Sequence, residues 1–229
     1  QFTPIRAEVT VNDCVIEGKL PTDLSGGFYA TGPDAQYPMR PGNIIFDGEG
    51  HARMFRIRNG RVDYRTRFVK SERYVAQDAA RKALFPMYRN PYLDDPSVKG
   101  LSRSTANTHV LNHKGLILAL KEDSPPVAMD LNTLETVDPV YTFGGQLPRT
   151  QPFTAHPKID PSTGRMHAFG YGFAPPFLQY YIVEPDGTMS HVEPIELPRS
   201  TMIHDFQITE TDVVFWDMPV VFDIESAIE

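Results

Sequence analysis

The sequence predicts an all-β protein, with a sandwich, a barrel or a propeller as its architecture. Turn signals built from Gly, Pro, Asn and Asp recur along the chain, and short β-prone runs lie between them. Hairpins at this spacing are typical of those three architectures. The 21 prolines and 16 glycines are spread along the chain and do not gather in one linker, so we predict no domain boundary.

The individual elements follow from local composition. We predict one helix over residues 71–84, because alanines recur through this stretch and Pro86 limits it. The clearest strands are predicted at 116–120, 166–171, 179–183 and 213–216. Turns are predicted between them, for example at Arg58-Asn59-Gly60-Arg61 and Asn112-His113-Lys114-Gly115.

The charge balance and the cysteine content exclude several classes of protein. Lys and Arg number 22 against 29 Asp and Glu, a net charge of −7, and no basic cluster stands out, so we expect no nucleic-acid partner. Cys14 is the single cysteine, which excludes an internal disulfide. No apolar run approaches the roughly 18 residues of a membrane span, and the first residues lack a signal-peptide pattern. We therefore expect a cytoplasmic protein without a membrane partner.

Few familiar catalytic motifs occur. The chain has no Gly-x-Ser-x-Gly elbow, no phosphate-binding Gly-rich loop and no Cys-x-x-Cys pair. His109 and His113 are four residues apart, but the second falls in a predicted turn. We expect this pair to be solvated and not to bind a metal.

Two other histidines are stronger candidates. His156 lies in Phe153-Thr154-Ala155-His156-Pro157-Lys158, and His204 lies in Met202-Ile203-His204-Asp205-Phe206. Each precedes a strand by several residues, and Pro157 favours an extended backbone at His156. Two imidazoles would make half of an all-histidine metal site. On the pattern alone, two buried core histidines remain an equal alternative.

The sequence around these positions resembles the carotenoid oxygenase family, also called carotenoid cleavage dioxygenases. The matching segments are 26–33 (GGFYATGP), 46–50 (FDGEG), 131–136 (LNTLET), 155–160 (AHPKID) with Gly170-Tyr171, and 202–206 (MIHDF). Within that family the chain is most similar to the bacterial lignostilbene dioxygenases. The segments that point there are 88–91 (YRNP), 94–98 (DDPSV) and 119–126 (ALKEDSPP).

The resemblance implies a seven-bladed β-propeller with a dome of loops and short helices. It also implies a non-haem Fe(II) cofactor held by four histidines. His156 and His204 match the first two ligands in chain order, and the other two would lie in a C-terminal half. Family members are roughly twice this length, so residues 1–229 are expected to form the N-terminal part of one incomplete propeller domain.

The resemblance also implies roles for four further residues. Glu122 matches a glutamate that accepts a hydrogen bond from a ligand histidine, and His204 is the histidine it would support. Tyr88 and Lys121 match residues that hold the 4-hydroxyl of a stilbene, and Phe46 matches an aromatic residue that packs on the substrate ring. A solvated glutamate, a surface lysine and a core tyrosine are the alternatives. Since adjacent strand residues point to opposite faces, Lys121 and Glu122 can both serve one site only if the strand ends or twists there.

We therefore expect an Fe(II)-dependent dioxygenase that uses O2 to cleave the central double bond of a 4-hydroxystilbene, lignostilbene-type or resveratrol-like, into two aromatic aldehydes. An enzyme of this kind would serve the catabolism of lignin-derived aromatic compounds. A homodimer is left open. The alternatives are an apocarotenoid-cleaving oxygenase of the same family and a non-catalytic β-propeller that binds a ligand.

Overall fold

The structure of the chain is a computed structural model that describes residues 3–88 and 90–221. Within these residues there is one α-helix, α1 (Glu72–Ala80), and all other long elements are strands. The strands before α1 are β1 (Thr10–Val11), β2 (Gly26–Ala30), β3 (Pro33–Asp34), β4 (Glu49–Arg58) and β5 (Arg61–Phe68). Those after it are β6 (His109–His113), β7 (Leu116–Leu120), β8 (Val127–Asp130), β9 (Thr136–Asp138), β10 (Lys158–Ile159), β11 (Met166–Tyr171), β12 (Phe177–Val183), β13 (Met189–Glu196), β14 (Gln207–Ile208) and β15 (Val213–Val214).

The chain forms two compact units. The first, the N-terminal unit, comprises residues 1–119 and 127–140, and the second, the C-terminal unit, comprises residues 120–126 and 141–229. The short connection between β7 and β8 therefore belongs to the C-terminal unit, although both strands that it joins lie largely in the N-terminal unit.

The N-terminal unit contains two antiparallel sheets. The first has the strand order β1-β5-β4-β2, with β3 also paired to β4, and the second has the order β6-β7-β8-β9. Asn59 and Gly60 both have positive φ at the β4–β5 hairpin, the conformation that a two-residue turn between twisted strands requires. Buried apolar residues from β4, β7 and β8 share one core cluster, to which Met54, Ile117 and Met129 contribute.

The C-terminal unit contains a four-stranded antiparallel sheet of order β10-β11-β12-β13 and the small β14–β15 pair. Its core cluster includes Phe169 of β11 together with Ile203 and Phe206, which precede β14. Because Phe169 and Phe206 are completely buried, the segment that precedes β14 is anchored against the sheet.

The single helix is shorter than the predicted span of 71–84. It begins where expected, with the Ser71 hydroxyl accepting a hydrogen bond from the Tyr74 N–H, but it ends at Ala80. Arg81 has φ 53° and closes the helix in the left-handed region. Leu84 and Phe85 then donate their N–H groups to the side-chain oxygen of Gln77, which turns the chain back over the helix. The prediction was therefore wrong beyond Ala80.

The all-β prediction is confirmed, and the strand predictions hold with small changes. The strands at 116–120 and 166–171 lie where predicted, β12 begins two residues earlier, and β15 ends two residues earlier. None of the described helices is long and apolar enough to cross a membrane.

Candidate metal centre

His156 is fixed by its strand neighbours. Its N–H donates to the Thr154 hydroxyl over 3.0 Å, and the Thr154 N–H donates to the Phe169 carbonyl over 2.6 Å. Two residues later β10 begins, with Lys158 opposite His167 in β11. The backbone on both sides of His156 is therefore bonded to β11.

His204 lies three residues before β14, between two buried apolar residues. Ile203 and Phe206 pack into the core of the C-terminal unit, while the His204 side chain is 56% exposed. The His204 Nε2 lies 3.0 Å from the His156 Nε2, and the two rings meet edge to face with centroids 4.7 Å apart. The two histidines predicted to act together are thus adjacent.

Glu122 reaches the other nitrogen of His204. Its Oε2 lies 2.8 Å from the His204 Nδ1, and the Glu122 side chain is only 6% exposed. A carboxylate at Nδ1 favours the tautomer with hydrogen on Nδ1 and a lone pair on Nε2. That lone pair is the group that a metal ion needs.

Lys121 and Glu122 are both buried, each about 5% exposed, which rules against the surface-lysine and solvated-glutamate alternatives. The explanation lies in the end of β7 at Leu120, because the strand alternation no longer applies to the residues that follow. The Ser124 N–H then approaches the Lys121 carbonyl at 3.4 Å, which marks the turn into Pro125 and Pro126.

An ion pair links the residues that flank the two histidines. The Lys158 Nζ lies 2.7 Å from the Asp205 Oδ1, and the same oxygen accepts the Phe206 N–H over 2.8 Å. Burial tends to raise the pKa of Asp205, but the hydrogen bonds from Lys158 and from Phe206 outweigh it and hold the pKa below its usual range. Sequence reasoning missed this pair, although the signal was present as a charged residue close behind each histidine.

The separation of the two Nε2 atoms can be tested against metal coordination. Imidazole–metal bonds are about 2.0–2.1 Å long, and two such bonds at a right angle place their nitrogens about 3.0 Å apart. The observed 3.0 Å fits two neighbouring ligands of one ion. Over residues 3–88 and 90–221 no group of three or more His, Cys, Asp or Glu side chains is arranged to hold a metal, so the fit rests on this pair.

The two aromatic residues expected to contact substrate lie in the N-terminal unit. Phe46 is in a short 3-10 turn, Ile45–Asp47, and its ring centroid lies 5.9 Å from that of Tyr88. Phe46 is 53% exposed, and Tyr88 is half-buried. The structure therefore groups Phe46 with Tyr88, and His156 with His204 and Glu122.

His109 and His113 differ from the prediction in one respect. Both lie in β6, and His113 is buried, so the interpretation as two solvated turn residues was wrong for His113. The turn is one residue later than predicted, with Lys114 and Gly115 carrying the positive φ angles, which leaves His113 as the last strand residue.

A comparison with protein families matches residues 2–229 to the model for RPE65, retinal pigment epithelial membrane protein, whose family is that of the carotenoid oxygenases. The chain belongs to this family. The match covers almost every residue, including both segments that carry the paired histidines.

Curated members of the carotenoid oxygenase family are similar over nearly the whole chain. Isoeugenol monooxygenase of Pseudomonas nitroreducens is 42% identical over 219 residues, which are 94% of this chain and 45% of the relative. Resveratrol cleavage oxygenase 1 of Aspergillus fumigatus is 44% identical over 226 residues, which are 97% of this chain and 45% of the relative. The chain thus spans about half the length of the curated relatives it matches.

Solved structures of carotenoid oxygenases agree. The crystal structure of Pseudomonas brassicacearum lignostilbene dioxygenase matches with a TM-score of 0.90 and 43% identity, over 97% of this chain and 46% of that one. The cobalt-substituted Synechocystis apocarotenoid oxygenase matches with a TM-score of 0.77 and 26% identity, over 93% and 47%. The predicted fold class, part of a carotenoid-oxygenase propeller, is confirmed at this level.

Proposed function

We propose that the chain is the N-terminal part of a single propeller domain in an Fe(II)-dependent dioxygenase that cleaves the central double bond of 4-hydroxystilbenes. In the overall reaction one alkene and one O2 give two aromatic aldehydes, so that each alkene carbon gains one oxygen atom. The observation that carries the proposal is the pair of Nε2 atoms 3.0 Å apart, with Glu122 on the far nitrogen of His204.

The donor set suits ferrous iron. Neutral imidazoles bind Fe(II) well, and an all-histidine set leaves positions open for dioxygen. When bound, the iron would supply the site at which O2 is activated. His156 and His204 would hold it, and Glu122 would keep the ring of His204 oriented and basic. That a relative was solved with cobalt substituted supports a metal in this family.

Substrate recognition is assigned to Lys121, Tyr88 and Phe46. We propose that Lys121 and Tyr88 hold and polarise the phenol hydroxyl, so that electron density is directed through the ring to the alkene. Phe46 would pack against that ring. A site that hydrogen-bonds a substrate hydroxyl discriminates strongly against an analogue that lacks it, so this assignment predicts rejection of substrates without the phenol.

The names of the relatives support this substrate class. One acts on isoeugenol and another on resveratrol, and both compounds carry a phenol hydroxyl conjugated through the ring to an alkene. The shared group is the one that Lys121 and Tyr88 are proposed to bind.

The test uses the full-length protein loaded with Fe(II) under O2. We expect aldehydes from a 4-hydroxystilbene and little turnover of its 4-methoxy counterpart, measured by chromatography. Lys121→Met and Tyr88→Phe should each lower kcat/KM by about 100-fold, the scale of losing a contact to an activated group, while the exposed control Lys99→Met should have no effect.

Two outcomes would favour the alternatives. Cleavage of an apocarotenoid with undiminished rate in Lys121→Met would replace the stilbene assignment with the apocarotenoid one. A protein that holds no iron after reconstitution would favour a non-catalytic ligand-binding propeller.

A further inference from the structure

We propose that the Lys158–Asp205 ion pair is a positioning device that sets the distance between His156 and His204. The inference rests on the proposed function, since it concerns how the metal ligands are held. It assigns roles to two residues that contact neither the proposed substrate nor the metal.

The first argument is the place of the pair in the chain. Lys158 follows His156 by two residues, and Asp205 follows His204 directly. Their side chains meet at 2.7 Å, while the two imidazole nitrogens meet at 3.0 Å. One contact between charged groups and one between rings therefore join the same two segments.

The second argument is that the two segments differ in how their backbones are held. Lys158 is in β10, which is paired to β11. Residues 202–206 belong to no strand, and the Met202 N–H donates to the Val220 carbonyl at their start. Side-chain contacts therefore help to fix the position of His204. Ile203 and Phe206 pack against β11, and Asp205 bonds to Lys158, the first residue of β10, two residues after His156.

The third argument is that the ammonium group is itself well placed. The Asp205 Oδ1 that it contacts also accepts the Phe206 N–H, and the Lys158 Nζ lies 5.7 Å from the centroid of the Phe206 ring. Phe206 is fully buried, so the lysine is held against a rigid part of the core. A pair that is only partly buried, 26% and 43% exposed, adds little to folding stability. Its expected effect is on ligand geometry, where a displacement of about 0.5 Å is already harmful.

The test exploits a difference in sign. If the pair acted only through its charges, Lys158→Met would remove a positive charge near the site and would tighten the binding of a divalent cation. If it positions the ligands, the same change weakens binding. We expect Lys158→Met and Asp205→Asn each to lower the Co(II) affinity of the full-length protein by about 10-fold or more, the range seen when partners that orient metal ligands are lost.

The measurements are Co(II) titration by visible absorption and the thermal midpoint of the metal-free protein. Lys158→Arg, which keeps the ion pair, should bind Co(II) nearly as tightly as the wild type. The double variant Lys158→Met/Asp205→Asn should be no weaker than the weaker single variant, because both changes break one contact. The matched control is the pair Arg165–Glu184, 3.1 Å apart in the same unit, whose removal should leave Co(II) affinity unchanged.

The outcomes separate this inference from the proposed function. Equal or tighter Co(II) binding by Lys158→Met, in a protein whose wild type binds the metal, would overturn the positioning role alone. A full-length wild type that binds no Co(II) or Fe(II) would overturn the proposed function and this inference with it. If Lys158→Met lowers the thermal midpoint of the metal-free protein, Lys158→Gln takes its place. Weaker Co(II) binding by Lys158→Gln then supports the positioning role, and equal or tighter binding overturns it.

Discussion

A carboxylate as little exposed as that of Glu122 has lost most of its hydration, and the contact with the His204 Nδ1 replaces part of it. The contact also restrains the imidazole, because its ring cannot rotate away from the carboxylate without losing a 2.8 Å hydrogen bond to a buried group. At the scale of single residues, burial of one partner thus orients the other, even though His204 itself is more than half exposed.

A second histidine allows a prediction about pH. Burial lowers the pKa of His51 from its ordinary value of 6.5, although the Asp34 carboxylate at 3.4 Å acts in the opposite direction. The unfolded chain therefore binds a proton more readily than the folded protein does. This contribution to stability is complete above pH about 6.5 and is lost as the pH falls below that value.

We expect His51→Gln to flatten the dependence of the unfolding free energy on pH between about 5 and 7. The measurement is urea denaturation at several pH values, compared with the wild type and with the exposed control His191→Gln. Parallel pH profiles for His51→Gln and the wild type would contradict the assignment.

At the scale of elements, β11 shows how a glycine lets two segments approach. A Cβ on Gly170 would lie 2.2 Å from the Pro152 carbonyl oxygen and 2.9 Å from the Tyr181 hydroxyl, far inside contact distance. Pro152 precedes His156 by four residues. Close packing of this segment on β11 is therefore part of what places the histidine.

Gly170→Ala should destabilise the protein by about 1–3 kcal/mol, because neither the carbonyl nor the strand can move freely. Gly172→Ala is the matched control, since no atom lies within 4 Å of the position of its Cβ. Denaturant unfolding of the two variants provides the measurement. Equal midpoints would show that the strand yields without cost.

Elements were more predictable from the sequence than contacts were. Local composition is enough to locate Ser71 as the start of the helix and residues 116–120 as a strand, because caps and β-prone runs act over a few residues. The end of α1 depends on the Gln77 side chain bonding to residues seven and eight positions later. The pairing of Glu122 with His204 joins residues 82 positions apart, so the local sequence pattern does not predict it. The resemblance to the family suggested this contact. The Lys158–Asp205 contact was not anticipated at all.

At the scale of the whole molecule, the chain spans about half the length of its relatives and brings together two imidazoles. The resemblance to the family implies four. Two imidazoles alone would hold a ferrous ion weakly, and the exposed ring of His204 would stay open to water and chelators.

We therefore expect the 229-residue chain on its own to bind Co(II) more weakly than the full-length protein. The difference should be at least about tenfold, since losing two ligands exceeds the effect of losing one partner that orients a ligand. Competition with a chromogenic chelator measures both affinities, and the His156→Ala variant of the full-length protein serves as the reference for a damaged site. Equal affinities would mean that this chain already holds the complete metal site.

The connection between β7 and β8 has a consequence for protein engineering. Residues 120–126 belong to the C-terminal unit, yet the chain enters and leaves them through strands of the N-terminal unit. A cut after Val140 would therefore separate Glu122 from the histidine it contacts, so the C-terminal unit cannot be transplanted as one continuous fragment. A chimera between family members would have to exchange the seven-residue segment 120–126 together with residues 141 onward to keep a matched histidine–glutamate pair.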